Sequence, residues 1–449
     1  MVSNHLNLVR APKRQIDKSV HAFFSAFSPN AAGELTESFR FILFSEPLPQ
    51  SNNITTTRAA AATTTQTMSL SSVAASASVT ATSPISFNRK WILKRRPVGV
   101  FDPNLDAELV VIDKPQNKDE HAATNPTNEQ LEIEDHQVVV EPQLLSVDAF
   151  LRTMYDEHAY HGSLPLGATL PAMGYGRVVQ AGPKSGHSVG TIVAGMLQAA
   201  DKAVVDGKGL MRSFRFPFLD RSACLGLLGL TTGLTAYTGV FYVPSKAPRK
   251  GETVVVTGAA GAVGSIAVQL CKSTGARVVG VAGGPRKGEY LMGLGCDAVI
   301  DYKDKAKPLE SQIAETCPSG IDFVYDNVGG ETLDLLLGKI NPNGRVVICG
   351  AISQYSGNLN SKTNKVLGPS NYLKLAERGA EMRGFNVIQH IAKLPFMLVG
   401  MFYLWARGKV KMTEHIETGL EQFPYALQKL FTGETIGKTL VRINRDDHE

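Results

Sequence analysis

The sequence predicts an α/β fold: a doubly wound parallel sheet, joined to a β-rich domain and preceded by a disordered N-terminal extension. Three observations carry this. From Arg249 onward, short apolar runs alternate with amphipathic stretches, the pattern of βαβ units whose strands are covered on both faces. From Asn88 to about residue 220, short β-rich runs are separated by Pro, Gly and Asn, as in an antiparallel module. Between Gln50 and Asn88 there is no Asp or Glu, Arg58 is the one basic residue, and Ser, Thr and Ala dominate. Such a segment cannot bury enough apolar surface to offset its ordering entropy.

The chain is 449 residues long, which favours two folded domains over one. Residues 1–87 are expected to be a disordered leader. Arg10, Lys13, Arg14 and Lys18 beside Phe23, Phe24 and Phe27 give it the flavour of an organellar presequence. The same text is compatible with an extension that carries no address, or with Met68 as the true start, so a mitochondrial or plastid location and a cytoplasmic one both stay open. Residues 88–220 are assigned to the β-rich domain, with an exposed polar loop between Lys114 and Glu132. Residues 221–382 form the parallel-sheet domain, and residues 383–449 return to the first domain, ending in the strand text TIGKTLVRI.

Composition narrows the partners. The net charge of +5 comes from 46 Lys and Arg against 41 Asp and Glu, interspersed rather than clustered, which argues against a nucleic-acid surface. The longest apolar run, Leu394–Ala406, is shorter than a membrane span. Cys224, Cys271, Cys296, Cys317 and Cys349 include no C-x-x-C pair and read as reduced thiols. No metal site is expected: the one His-Glu pair is His448–Glu449 at the chain end, and His158 and His161 lack Cys or carboxylate partners of suitable spacing.

The strand Thr253–Thr257 is followed by GAAGAVGS, with Gly258, Gly261 and Gly264 at a turn and the start of a helix. Val263, Ile266, Ala267, Leu270 and Cys271 then mark one buried helical face. Glycines let backbone approach a pyrophosphate closely, and the helix N-terminus offers free N–H groups and a positive dipole end. In this strand-turn-helix setting the motif is a Rossmann dinucleotide site, with Gly258, Ala260, Gly261, Ala262, Val263 and Gly264 against the cofactor. The next strand ends at Gly283 and Gly284, where an NAD-specific fold places an acid on the ribose 2′-hydroxyl. Arg286 and Lys287 follow at once, cations suited to a 2′-phosphate, with a solvated helix start as the alternative role. The expected cofactor is therefore NADPH.

NRKWILKRRPVG, GLTTGLTAYTG, GETVVVTGAAGAVGS, IDFVYDNVGG, CGAISQY and GKTLVRI together resemble the leukotriene B4 dehydrogenase, prostaglandin reductase and alkenal double-bond reductase branch of the medium-chain dehydrogenase/reductase superfamily. The resemblance runs from about Asn88 to Ile443. It implies a GroES-like β-domain around a Rossmann domain, with the active site in the cleft between them. It implies that Lys287 and Tyr302 contact the 2′-phosphate, that Asn327 and Tyr355 line the cofactor cleft, and that Thr235, Ala236 and Tyr237 lie beside the nicotinamide. It implies zinc-free reduction of a C=C bond conjugated to a carbonyl in a small-molecule alkenal or enone, 15-oxo-prostaglandin-like lipids included. A homodimer is compatible with it. Three departures concern the substrate. The family's D-P-Y-M-R string reads Asp148-Ala149-Phe150-Leu151-Arg152, a family tyrosine falls on Glu377 with Tyr372 the nearest phenol, and a C-terminal asparagine is Thr435.

Enone reduction needs a hydride at the β-carbon and a donor for the negative charge that grows on the carbonyl oxygen. Tyr355 and Tyr372 are the candidate catalytic phenols, each with packing as the alternative role. Quinone reduction in the same cleft and a non-catalytic NADPH-binding protein are the competing functions.

Overall fold

The computed structural model describes residues 88–112, 131–159, 162–213, 218–357, 366 and 368–443. The leader, most of the polar insertion after Lys114, His161 and the His448–Glu449 pair lie outside the described residues.

Strands β1 (Asn88–Leu93) and β2 (Ala107–Ile112) pair antiparallel. β3 (Gln137–Ser146), β4 (Pro171–Ala181), β5 (Ile192–Gln198), β6 (Ala203–Asp206) and β7 (Leu210–Arg212) build an antiparallel sheet. Helix α1 (Gly233–Phe241) leads into the βα alternation: β8 (Thr253–Val256), α2 (Ala262–Ser273), β9 (Arg277–Ala282), α3 (Pro285–Gly293), β10 (Ala298–Asp301), α4 (Leu309–Thr316), β11 (Ile321–Asp326), α5 (Gly330–Leu337), β12 (Ile340–Ile348) and β13 (Glu381–Gly384). These strands form a parallel sheet in the order β10-β9-β8-β11-β12-β13. Helix α6 (Leu394–Ala406), β14 (Glu414–Thr418), α7 (Phe423–Thr432) and β15 (Lys438–Arg442) complete the chain. β15 pairs antiparallel with β3, so the C-terminal strand joins the first sheet.

The fold is the expected α/β pair of a Rossmann parallel sheet and a GroES-like β-rich domain, and the local reasons are visible. In β8, β-branched residues suit a pleated strand, and successive side chains serve opposite faces. Val254 and Val256 enter one core cluster and Val255 the other. In α2 the predicted stripe holds, with Ile266, Ala267, Leu270 and Cys271 fully buried and Val263 packed at the edge. The antiparallel sheet has its own core, where Val138, Val140 and Leu145 meet Phe423 and Leu427 of α7.

Two readings of the sequence need adjustment. The boundary drawn at residue 382 falls inside β13, and α6 does not return to the first domain. Its Met397 and Met401 pack with Leu234 and Val240 of α1 beside the parallel sheet, because a helix apolar around most of its girth needs core on more than one side. The helical stretch is also longer than its apolar run suggested. Val387–Ala406 is helical for 20 residues; an 18-residue window of it has mean hydropathy 1.4, enough by length and composition to cross a membrane, and 28% of that window is buried in the structure.

Sheet order reverses between β8, whose neighbour β9 lies on one side, and β11 on the other. In open parallel sheets the crevice at such a point, beyond the carboxyl ends of the strands, is where ligands bind.

Candidate active site

A cavity of about 950 Å³ occupies this crevice and extends to the antiparallel sheet. Gly258, Ala260, Gly261, Ala262, Val263, Gly264, Lys287, Tyr302, Asn327 and Tyr355 all line it, so ten of the predicted site residues come together from five segments, each following a strand of the parallel sheet. Arg286 and Tyr372 do not.

The glycine loop is built for close approach. Gly258 holds φ +56°, in the left-handed region that side chains rarely adopt. A Cβ on Gly264 would lie 2.3 Å from the Gly258 carbonyl oxygen, so helix and loop can meet only without one. Gly261 is the N-cap of α2, and no side chain caps the helix, which leaves its first turn to serve an anion.

The loop after β11 is locked to this one by a buried carboxylate. Asp326, fully buried, accepts from Thr257 Oγ1 at 2.6 Å and from the Gly329 N–H at 2.9 Å. Thr257 Oγ1 in turn accepts from the Asn327 N–H at 2.8 Å, and Asn327 Nδ2 donates to the Thr257 carbonyl at 2.7 Å. Burial pushes the Asp326 carboxyl above its ordinary range, and the Thr257 hydroxyl and the Val328 and Gly329 N–H groups oppose that.

At the far end of the glycine loop lies a cationic corner. A Cβ built on Gly433 would sit 3.6 Å from Lys287 Nζ, 3.6 Å from Tyr302 Oη and 3.8 Å from Lys303 Nζ, so the three groups converge on one spot. Burial lowers the Lys287 pKa, and the charges of Lys303 and Arg286 lower it further; no carboxylate enters that balance. Crowded cations of this kind suit a phosphate dianion. Arg286 itself is exposed and off the cavity, and it reaches the corner only through its charge. Lys303 is the residue sequence reading missed. Strand alternation would put it opposite Tyr302, but β10 has ended. Asp301 Oδ1 accepts the N–H of Gly284 at 2.8 Å and of Lys303 at 2.9 Å, which turns the chain and brings Lys303 round.

The other half of the cavity is an apolar chamber. Its walls include Phe150, Met154, Met173, Met196, Leu230 and Phe385, with Asp148, Thr235 and Thr435 among the polar groups. Ala236 and Tyr237, on α1, turn away into the core. Tyr355 is 8% exposed, and its hydroxyl accepts the Ala351 N–H at 3.1 Å. Tyr372 is 57% exposed. Asp334 of α5 accepts from the Ser370 hydroxyl, from the Asn371 N–H at 2.6 Å and, through its carbonyl, from Asn371 Nδ2 at 3.0 Å, fastening that segment outside the cavity. Glu377 lies off the cavity too, ion-paired with Lys374. Cys349 touches the cavity, and burial pushes its thiol up to about 12. Among the described residues no group of three or more His, Cys, Asp or Glu could hold a metal ion.

Two family descriptions match the chain: "N-terminal domain of oxidoreductase" over residues 115–213 and "Zinc-binding dehydrogenase" over residues 262–390. Prostaglandin reductase 1 of Mus musculus is 34% identical over 319 residues, 70% of this chain and 92% of that protein. The chain belongs to the medium-chain dehydrogenase/reductase superfamily. Its place there is the prostaglandin reductase and alkenal reductase branch: the 2-alkenal reductase (NADP(+)-dependent) of Nicotiana tabacum is 33% identical over 69% of this chain and 88% of that enzyme. CurA from Vibrio vulnificus, solved in complex with NADPH, superposes with a TM-score of 0.67 at 28% identity, over 80% of this chain and 99% of that one. The superfamily includes zinc enzymes, hence the name of the second match, but what this chain brings to its cleft is glycines, cations and apolar walls.

Proposed function

We propose that the chain is an NADPH-dependent, zinc-independent reductase of the C=C bond in α,β-unsaturated carbonyl compounds, alkenals and enones, with lipid-like enones of the 15-oxo-prostaglandin type within its range. One observation carries this reading: a single cavity runs from the cationic corner past the glycine loop into an apolar chamber. A dinucleotide phosphate fits the first part and an apolar substrate the second. The prostaglandin, alkenal and curcumin reductases among its relatives support the substrate class.

The residues divide the work. Lys287, Tyr302 and Lys303 hold the 2′-phosphate, and Gly258 to Gly264 with the α2 N-terminus hold the pyrophosphate. Asp326, through Thr257 and the Gly329 N–H, keeps the Asn327 loop at its distance. When bound, the nicotinamide supplies the hydride. Phe150, Met154 and Met173 enclose the substrate chain and keep out water. Tyr355 stands at the cavity wall, where a phenol donates to the oxygen on which enolate charge develops. Val387–Ala406 we read as a packing helix rather than a span.

The test is NADPH consumption with alkenals, larger enones and quinones, alongside a direct measure of NADPH binding. Turnover of enones is expected. Turnover of quinones alone would make the chain a quinone reductase, and tight NADPH binding without any turnover would make it a non-catalytic binding protein. Two predictions attach. Chelator treatment leaves the rate unchanged, and a stoichiometric metal in the purified protein would contradict this. Tyr355→Phe lowers kcat on an enone about five- to tenfold, the worth of one neutral hydrogen bond, with a smaller change in NADPH affinity. If instead NADPH affinity falls and kcat holds, Tyr355 serves only to hold the Ala351 loop.

A further inference from the structure

Phe150 and Met154 of the apolar chamber lie on one 3-10 segment, Ala149–Tyr155. Two buried ion pairs hold its ends. At the far end Arg152 Nη1 meets Asp156 Oδ1 at 2.6 Å, and Arg152 Nη2 donates to the Gly99 carbonyl at 2.9 Å. At the near end Asp148 Oδ1 accepts from Lys438 Nζ at 2.6 Å across 290 residues of sequence, and its other oxygen accepts from Ser146 Oγ. The Lys438 side chain is wholly buried and that of Asp148 is 8% exposed.

Lys438 is not an isolated anchor. Its neighbour Gly437 donates its N–H to the Ala260 carbonyl of the glycine loop at 2.8 Å, and the Lys438 N–H bonds the Thr413 carbonyl at 2.8 Å. A continuous path therefore runs from the cofactor loop, Ala260, through Gly437 and Lys438 to Asp148 and on to Phe150. Ala260, Gly437, Asp148 and Phe150 all face the cavity. Stability alone does not account for the pair, because desolvating two charges offsets most of their attraction and well-packed neutral groups do as well or better. A short, directional contact does fix where one element sits against another.

We propose that Asp148 and Lys438 are a positioning pair, setting the Phe150 wall relative to the glycine loop and so deciding how large a substrate is held in line for reduction. The proposal rests on the reductase reading above. A bulky enone spans the chamber and depends on the wall; a small one is aligned mainly by its carbonyl. Misplacement by about 1 Å can cost up to about a hundredfold in rate, and the cost should scale with how much of the substrate touches the wall.

The variant is Asp148→Asn with Lys438→Met, which removes both charges at nearly constant volume and leaves neither a buried lone ion nor a hole. Thermal midpoint, NADPH affinity by fluorescence titration, and kcat and KM for a four-carbon enone and a bulky aryl enone are measured for wild type and variant. The pair is supported if NADPH affinity stays within about twofold while kcat/KM falls at least about tenfold more for the aryl enone than for the small one. Equal losses on the two enones, no loss on either, or a loss confined to NADPH affinity each overturns it. A wild type that binds NADPH but reduces neither enone instead overturns the proposed function, so the two failures are told apart.

Discussion

Lys287→Ala is expected to raise the KM for NADPH about 10- to 100-fold and to leave NADH almost untouched. The range follows from the loss of one charge-assisted hydrogen bond of about 1.5–3 kcal/mol. Three features make Lys287 the residue to remove. Its ammonium, the Tyr302 hydroxyl and the Lys303 ammonium converge within 3.6 to 3.8 Å of one spot. Its charge is disfavoured by burial, by Lys303 and by Arg286, a burden that a bound dianion lifts and a ribose hydroxyl does not. It lies on α3, clear of the buried glycine loop, so the variant should keep its fold. Initial rates with each cofactor across a concentration series decide the matter. Equal use of both cofactors by the unaltered enzyme, or an equal loss of both in the variant, would reduce Lys287 to a solvated residue at a helix start.

What the sequence made legible follows from how local each feature is. The glycine loop is a strand, a turn and a helix in succession, and each leaves its own mark: three valines in β8, glycines where Cβ atoms would collide, and an apolar stripe along α2. Lys287 is legible from its place just after the second strand, and Tyr302 only through the family resemblance. Lys303 was not, because the Asp301 turn that redirects it is a tertiary detail. Tyr372 is a candidate only as the phenol nearest the position of a family tyrosine, and that says nothing about Asp334 of α5 fastening its segment off the cavity. Phe150 and Thr435 are legible on the substrate side only through the family resemblance, and the methionine walls of the chamber not at all. Met154, Met173 and Met196 come from a 3-10 segment and two strands, each reading as ordinary core, and only sheet packing reveals that they share a surface. The Asp148–Lys438 pair, 290 residues apart, has no sequence signature at all.

Gly283→Asp should have the larger effect, reversing cofactor preference outright. In NAD-specific folds an acid at the end of the second strand accepts the ribose 2′-hydroxyl, and here that position is a glycine for a steric reason as well. A Cβ on Gly283 would lie 2.8 Å from Tyr302 Cζ and 2.9 Å from the Lys303 side chain. The substitution therefore acts twice. It displaces Tyr302 and Lys303 from the corner where they converge with Lys287, and it sets a carboxylate against the 2′-phosphate, a like-charge contact worth several kcal/mol. Together these should lower kcat/KM with NADPH by more than about a hundredfold. NADH use should hold or improve, since the new carboxylate offers the 2′-hydroxyl an acceptor. Lys303 can swing aside along its flexible stem, whereas the Tyr302 ring has to rotate, so adding Tyr302→Ala should relieve the remaining strain and raise NADH use further without restoring NADPH. The ratio of kcat/KM values for the two cofactors is the measurement. If the Gly283→Asp enzyme kept NADPH activity within about fivefold of the original, a change of only about 1 kcal/mol, the 2′-phosphate would have to bind away from this corner, and the assignment of Lys287, Tyr302 and Lys303 would fall with it.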